Sequence, residues 1–130
     1  MNSGLLISHA DPRPMYLQIM EQIRHRIAIG DWRPADELPS IRALAAALQV
    51  SVITVKRAYL ELEHDGVIVT RQGKGSFVAE SAGLSTRLHH QELDAHLSAA
   101  AEIGRVLGLT PDELEKRIRH AVRKRDEKKP

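Results

Sequence analysis

The sequence has no cysteine, few aromatic residues and no long hydrophobic run. Without thiols the chain can form neither a disulfide nor a thiolate metal site, and it has no cysteine nucleophile. No apolar stretch approaches the roughly 20 residues that cross a membrane, and the N-terminus lacks the basic-then-apolar order of a signal peptide. We therefore expect a cytoplasmic protein without disulfides.

Length, charge and composition are those of a small globular protein. The 130 residues carry a formal net charge of +2, and 42% of them are hydrophobic, which suffices for a core. This length predicts one domain with a smaller appendage. A charge this close to zero favours an anionic partner only if the fold gathers the basic side chains on one surface.

Two short helix patterns joined by a tight connection lie between residues 40 and 65. Ser40 and Ser51 are the expected N-caps, and Gly66 ends the second helix with a left-handed residue. The link at Gln49 forces a sharp angle between the helices, and Gln49 occupies a position where φ is often positive. The apolar stripes that pack the helices on a core are Ile41, Leu44, Ala45 and Leu48, followed by Val55, Ala58, Tyr59 and Leu62.

A strand pattern follows the second helix. Residues 67–70 are a β-branched run, residues 72–75 form a Gly-rich turn, and residues 76–78 are a return strand. Strands this short do not stand alone, so we expect Ile68, Phe77 and Val78 to pack on the helices. Two helices followed by a small hairpin predict a winged helix-turn-helix.

A further helix precedes this unit. It begins at Pro14, with proline in the first turn, and ends at residues 30–31. Residues 1–12 are expected to be extended, and residues 32–39 to form a loop. Trp32 is expected to pack at the edge of this loop, and Leu38 to enter the core. The apolar stripe of this helix is Tyr16, Ile19, Met20, Ile23 and Ile27.

The remainder of the chain is predicted to form a helical tail. Residues 81–83 are a small flexible link, and a helix is predicted over residues 88–107. Gly108 ends it, and Thr110 and Glu113 mark the start of a last helix as a capping box. The fold class is therefore α+β and mainly α, with a winged helix-turn-helix followed by an α-hairpin.

We predict two domains, residues 1–79 for DNA binding and residues 80–130 for dimerisation. A two-helix hairpin cannot bury both of its apolar stripes alone, and a second copy is the simplest partner. The alternative is that these apolar stripes only pack the two helices against each other within one chain. The predicted dimer contacts are Leu93, Leu97, Ala100, Gly104, Leu107, Leu114, Ile118 and Val122.

Several side chains lie off the apolar stripes where a duplex would approach. Ile53 and Arg57 project outward from the second helix, an arrangement that a helix in a major groove requires. The hairpin tip places basic side chains between glycines, which lets backbone approach a phosphate or a minor groove. The DNA contacts predicted in this way are Arg42, Ile53, Thr54, Lys56, Arg57, Arg71, Gln72 and Lys74, with Ser40 as the cap before Arg42.

The same residues allow plainer interpretations. Each basic side chain taken singly could be an ordinary surface charge, and Arg57 could pair with Glu61 one turn later. Leu60 is expected to pack on the first helix or the tail. His89 and His96 stand two turns apart, but no further ligand completes a metal site by spacing. We expect no metal and no cofactor.

Residues 14–78 resemble the GntR family of bacterial transcription regulators, and the short two-helix tail resembles its YtrA subfamily. This resemblance implies a homodimeric repressor or dual regulator that binds an inverted repeat in a promoter. It adds Ser51, Val52 and Gly73 to the expected DNA contacts. Val52 stands where many members have Arg or Asn, and Ala35 where the usual residue is Gly. The motifs that carry the resemblance are PMYLQI at 14–19, LPSIRALA at 38–45, VSVITVKRAY at 50–59 and GKGSFV at 73–78.

We therefore expect a dimeric, sequence-specific DNA-binding transcriptional regulator, with the helix at about 51–65 in the major groove and the wing at 70–76 on the minor groove or backbone. An unidentified small-molecule effector remains open. The alternative is a protein-interaction adaptor that keeps a winged helix without specific DNA binding, although an adaptor has no need of the basic side chains. No nucleophile–base or carboxylate constellation is present, so an enzyme is not expected.

Overall fold

The computed structural model describes residues 4–81 and 83–128, which contain five helices and one two-stranded antiparallel sheet. Contacts divide the chain into two compact units, unit 1 ending at His90 and unit 2 beginning at Gln91. None of the helices in the described ranges combines the length and the apolar content needed to span a bilayer. The elements are α1 (Met15–Ala28), α2 (Ile41–Leu48), α3 (Val52–His64), β1 (Ile68–Arg71), β2 (Gly75–Val78), α4 (Leu84–Val106) and α5 (Pro111–Glu127).

The predicted fold class, mainly helical with a small β-wing, is confirmed. Residues 1–3 of the predicted extended segment, residue 82 of the predicted link and residues 129–130 of the charged C-terminal run lie outside the described residues.

The core of unit 1 forms where α1, α2 and α3 turn their apolar stripes toward one another. Ile19 and Ile23 of α1, and Val55 and Leu62 of α3, are fully buried, and Leu44 of α2 joins them. Because these side chains recur at helical spacing, one face of each helix is withdrawn from water while the opposite face remains exposed. The predicted stripes are therefore confirmed.

The helix boundaries in this unit follow local chemistry. The Ser40 and Ser51 hydroxyls each accept a hydrogen bond, at 3.1 Å, from the backbone N–H three residues on. Gln49 has a φ of 55° and Gly66 a φ of 76°, so both positions adopt the left-handed conformation that was predicted. The sharp turn from α2 into α3 and the end of α3 are thus set by single residues.

The wing is a hairpin in which Ile68 lies opposite Val78 and Arg71 opposite Gly75. Ile68 and Val78 are buried against the helices, while Phe77 is half-buried. The apolar base of the hairpin is therefore anchored in the core. Its basic tip extends into solvent.

The segment predicted as a loop at 32–39 in fact pairs with the other edge of β2. The Leu38 N–H donates to the Ser76 carbonyl and the Val78 N–H donates to the Asp36 carbonyl, both at 2.8 Å. The segment contains no helix or strand, as predicted, but Glu37 forms an isolated bridge to Phe77 that the sequence did not suggest, because the second edge of β2 offers backbone groups that need partners. The wing is thereby fixed to the chain on both sides.

The same segment supplies two core side chains. Leu38 is buried, as predicted. Trp32, at the edge of this segment, is only 3% exposed and belongs to the core. Its backbone N–H donates to the Arg26 carbonyl at 3.1 Å, which turns the chain back over the end of α1.

An N-terminal strap, residues 4–8, runs along α1 and is held by three side chains spaced four residues apart. The Gln18 amide bonds both backbone groups of Ser8, at 2.9 and 3.1 Å, and the Gln22 amide does the same at Leu6. Arg26 donates to the Gly4 carbonyl at 2.8 Å. Leu5 is buried in the core. The sequence predicted an extended segment here but not its attachment.

Helix α4 begins at Leu84, whereas the sequence predicted a start at Leu88. The predicted start was therefore wrong by four residues. Leu84 and Leu88 are both buried in the core of unit 1, and the Ser85 hydroxyl donates to the Ala28 carbonyl at 2.7 Å. The contacts consequently divide the chain after His90, whereas the sequence predicted a division after residue 79.

Unit 2 holds the rest of α4 and the whole of α5. The capping box between Thr110 and Glu113 is present as predicted. Gly104 is buried, and the terminal carbons of Leu114 lie 3.6 Å from where a Cβ on that glycine would stand, so the helices meet closely at this point. Among its described residues α5 has no buried side chain. The apolar stripes of both helices are therefore largely open to solvent.

Ala35 generates a stability prediction, because it adopts a φ of 70°. This left-handed conformation costs an L-residue about 1–2 kcal/mol, while glycine gives back about 0.5–1 kcal/mol as unfolded-state entropy. We expect Ala35→Gly to raise the free energy of unfolding by about 0.5–1 kcal/mol. Urea denaturation at fixed protein concentration measures the change.

Ala46→Gly is the matched control, because Ala46 is exposed inside α2. The same substitution in a helix interior should destabilise by about 0.5–1 kcal/mol. If both variants shift the denaturation midpoint downward, the strain assigned to Ala35 is wrong.

Candidate nucleic-acid interface

The first turn of α3 is exposed on its outer side. Ser51, Val52 and Lys56 face solvent, and Ile53 is 78% exposed. The Thr54 hydroxyl lies 2.9 Å from the Ser51 hydroxyl, so the start of the helix presents two small polar groups beside the apolar Ile53. A surface of this kind can make both hydrogen bonds and methyl contacts to base edges.

The start of α2 and the tip of the wing line one open cleft of about 460 Å³. The structure thus brings together two of the three regions that the sequence proposed for DNA contact. The ring of Tyr59 lies in this cleft, and its hydroxyl donates to the Pro39 carbonyl at 2.7 Å. Burial raises the pKa of Tyr59 above its usual range. The predicted residues that line the cleft are Ser40, Arg42, Arg71, Gln72, Gly73 and Lys74.

The basic side chains of this surface differ from those on α1 in having no carboxylate partner. Arg24 pairs with Asp65, and Arg26 pairs with Asp31 at 3.0 Å. Leaving Arg57 aside, the predicted DNA contacts include four cations. Within residues 4–81 and 83–128, no acidic group lies within ion-pair distance of any of these four. These four are Arg42, Lys56, Arg71 and Lys74. Their charge is left for an external anion.

One acidic side chain, Glu37, was not among the predicted residues and also lines the cleft. Its Oε1 lies 3.2 Å from where a Cβ on Gly75 would stand, so the glycine leaves room for it. No pattern in the sequence indicates this neighbour, because residues 35–38 join the wing through backbone pairing.

Arg57 has a partner that the sequence did not suggest. Its guanidinium carbon lies 3.9 Å from the centroid of the Tyr16 ring on α1. The anticipated alternative, a pair with Glu61, is not among the ion pairs of the described residues. Spacing along α3 could reveal Glu61 but not a ring on another helix.

Leu60 is 58% exposed, so the expectation that it packs on α2 or the tail was wrong. It lies on the same outer face of α3 as Ile53 and Arg57, which points away from the core. Tyr59, one residue earlier, is buried as predicted.

The described residues contain no cluster of three His, Asp or Glu side chains with the geometry of a metal site. His89 and His96, the pair considered from the sequence, are both exposed on α4.

The predicted dimer contacts divide into two groups in unit 2. Gly104 and Leu114 meet each other within the chain, and Ala100 is half-buried. The others face solvent, with Leu97 43% and Val122 56% exposed. The exposed members are Leu93, Leu97, Leu107, Ile118 and Val122.

Comparison with known proteins supplies the family. The family model for bacterial regulatory proteins of the gntR family matches residues 15–78 of this chain. The chain is 36% identical over 102 residues to the HTH-type transcriptional regulator YhcF of Bacillus subtilis (strain 168), covering 78% of this chain and 84% of that protein. It is 41% identical over 75 residues to the HTH-type transcriptional repressor YtrA of the same organism, covering 55% of this chain and 58% of YtrA.

A solved structure of AraR(DBD) in complex with an operator is also similar. It is 30% identical, with a TM-score of 0.51, and the match covers 56% of this chain and 89% of that one. The relatives named are transcriptional regulators rather than enzymes. The chain belongs to the GntR family of bacterial regulatory proteins, and it is a transcriptional regulator similar to YtrA.

Proposed function

We propose that this regulator binds an inverted-repeat operator as a homodimer and acts as a repressor in the cytoplasm. The observation that carries the proposal is the set of unneutralised cations at the start of α2, in the first turns of α3 and at the wing tip. A charge without an internal partner is available to a phosphate, whereas one already paired contributes little.

In this proposal α3 enters the major groove. Val52 and Ile53 contact base edges, a thymine methyl being the simplest apolar target, and Ser51 and Thr54 offer hydroxyls. Arg42 and the other three unpaired cations contact phosphates, which set the position of the helix on the duplex. The wing tip around Gly73 approaches the minor groove or the backbone, since glycine leaves the N–H groups accessible.

Dimerisation is proposed through unit 2. Leu93 and Leu97 on α4, and Ile118 and Val122 on α5, leave apolar surface exposed that a second copy would bury. A two-fold dimer matches the two halves of an inverted repeat, with half-site spacing set by the distance between recognition helices. The similarity to YtrA, a repressor, and to AraR(DBD), solved in complex with an operator, supports operator binding and repression.

The experiment that tests the proposal is selection of bound sequences from a random duplex pool at a stated salt concentration. An enriched inverted repeat is the expected result. Salt-sensitive binding without enrichment would overturn sequence-specific recognition. Absence of binding would overturn DNA binding altogether and leave the adaptor as the better interpretation.

Arg42→Ala should weaken binding to the selected duplex about tenfold, because it removes one charge-assisted phosphate bond. The slope of log affinity against log salt should fall by about one. Fluorescence anisotropy across a salt series measures both quantities. Arg33→Ala is the matched control, because Arg33 is exposed outside the cleft. Equal slopes for Arg42→Ala and the wild type would contradict the phosphate contact.

Leu97→Asp should convert the dimer to monomers and thereby weaken operator binding, since it places a charge in the apolar stripe of α4. Sedimentation velocity measures the association state. Ser98→Asp introduces the same charge on the next residue, off that stripe, and should leave the dimer intact. A Leu97→Asp protein that still sediments as a dimer would refute the interface.

A further inference from the structure

The contact between Arg57 and Tyr16 joins the proposed recognition helix to α1. The guanidinium carbon lies 3.9 Å from the ring centroid, well inside the distance at which a cation is attracted to an aromatic face. Arg57 is exposed, whereas Tyr16 is half-buried and packs against the core. The ring is therefore held by the core, and the arginine is held by its contact with the ring.

The two helices are held against each other along their length, which fixes the ring under the arginine. Met20 of α1 and Val55 of α3 are buried in the shared core. Beyond Arg57, Arg24 of α1 forms an ion pair with Asp65 at the end of α3. The position of Tyr16 relative to α3 is thus set by packing rather than by the cation it contacts.

Stacking leaves the hydrogen-bonding capacity of Arg57 unused. A guanidinium contacts a ring through its flat face, while its five N–H donors lie along its edge. A pair with Glu61 would instead occupy those donors and neutralise the charge. In the observed arrangement Arg57 keeps its full charge and its donors, and loses conformational freedom before any ligand arrives.

We propose that Tyr16 is a positioning residue for DNA binding, which holds the Arg57 guanidinium in the orientation that contacts a phosphate. This inference rests on the proposed function. An arginine that is already ordered loses less side-chain entropy when it binds. Tyr16 itself need not contact the duplex, because its contribution passes through Arg57.

The test is a double-mutant cycle that measures binding to the duplex enriched in the selection. Fluorescence anisotropy across a salt series is the readout. Tyr16→Leu removes the aromatic face and should weaken binding roughly two- to fivefold, the range of an exposed cation–π contact. Tyr16→Phe keeps the face and should bind as the wild type does. All variants are compared at a temperature where circular dichroism shows them folded.

The salt slope separates positioning from direct contact. Arg57→Ala deletes a phosphate contact and should lower the slope by about one. Tyr16→Leu keeps the charge, so its affinity should fall with the slope unchanged. In the Arg57→Ala background, Tyr16→Leu should have no further effect, because the residue through which it acts is gone.

Two results would overturn the proposal. Equal losses from Tyr16→Leu with and without Arg57 would show that Tyr16 acts independently of Arg57, and a weakened Tyr16→Phe would assign the role to the hydroxyl. Lys56→Ala serves as the reference for the proposed function. If it weakens binding while the cycle shows no coupling, DNA binding stands and the positioning role fails. If the wild type binds no duplex, both fail.

Discussion

Burial of the inner face of α3 is the constraint on which unit 1 depends. Val55, Ala58 and Leu62 have no exposed surface, so α3 is held by α1, α2 and the first strand of the wing at once. The same helix has to leave its outer face bare if it is to enter a groove. Packing on one side thus makes the other side rigid, and a rigid helix presents its side chains in one arrangement rather than many.

The distribution of ion pairs follows from this arrangement. Arginines that tie elements together, such as Arg24 to Asp65, are neutralised by carboxylates inside the chain. The cations around the cleft are not. Because exposed pairs contribute only about 0–1 kcal/mol to stability, leaving Arg42 or Lys74 unpaired costs the fold little. A protein with a net charge of only +2 can in this way keep several cations without internal partners on one part of its surface.

Most of unit 1 could be predicted from the sequence, because its boundaries depend on neighbours in the chain. Ser40, Ser51 and Gly66 act on backbone groups within a few residues, and the apolar stripes repeat at helical spacing. The features that could not be predicted depend on contacts between residues far apart in the chain. Leu84 belongs to the core only because the chain returns to α1, and the partner of Arg57 lies on another helix. For the same reason the exposed first turn of α3 could be predicted, whereas Glu37 in the cleft could not.

The strap along α1 has a consequence for how its sequence can vary. Four residues of helix rise about 6.0 Å and two residues of strand about 6.6 Å, which is why Gln18, Gln22 and Arg26 reach every second residue from Ser8 to Gly4. All three bind backbone atoms, while Leu5 is buried in the core and Ile7 packs against it. The attachment of the strap consequently depends on its length more than on the identity of its residues. Substitutions at Leu6 or Ser8 other than proline keep these backbone hydrogen bonds, while the insertion of one residue between them would turn the backbone groups beyond it to the wrong side.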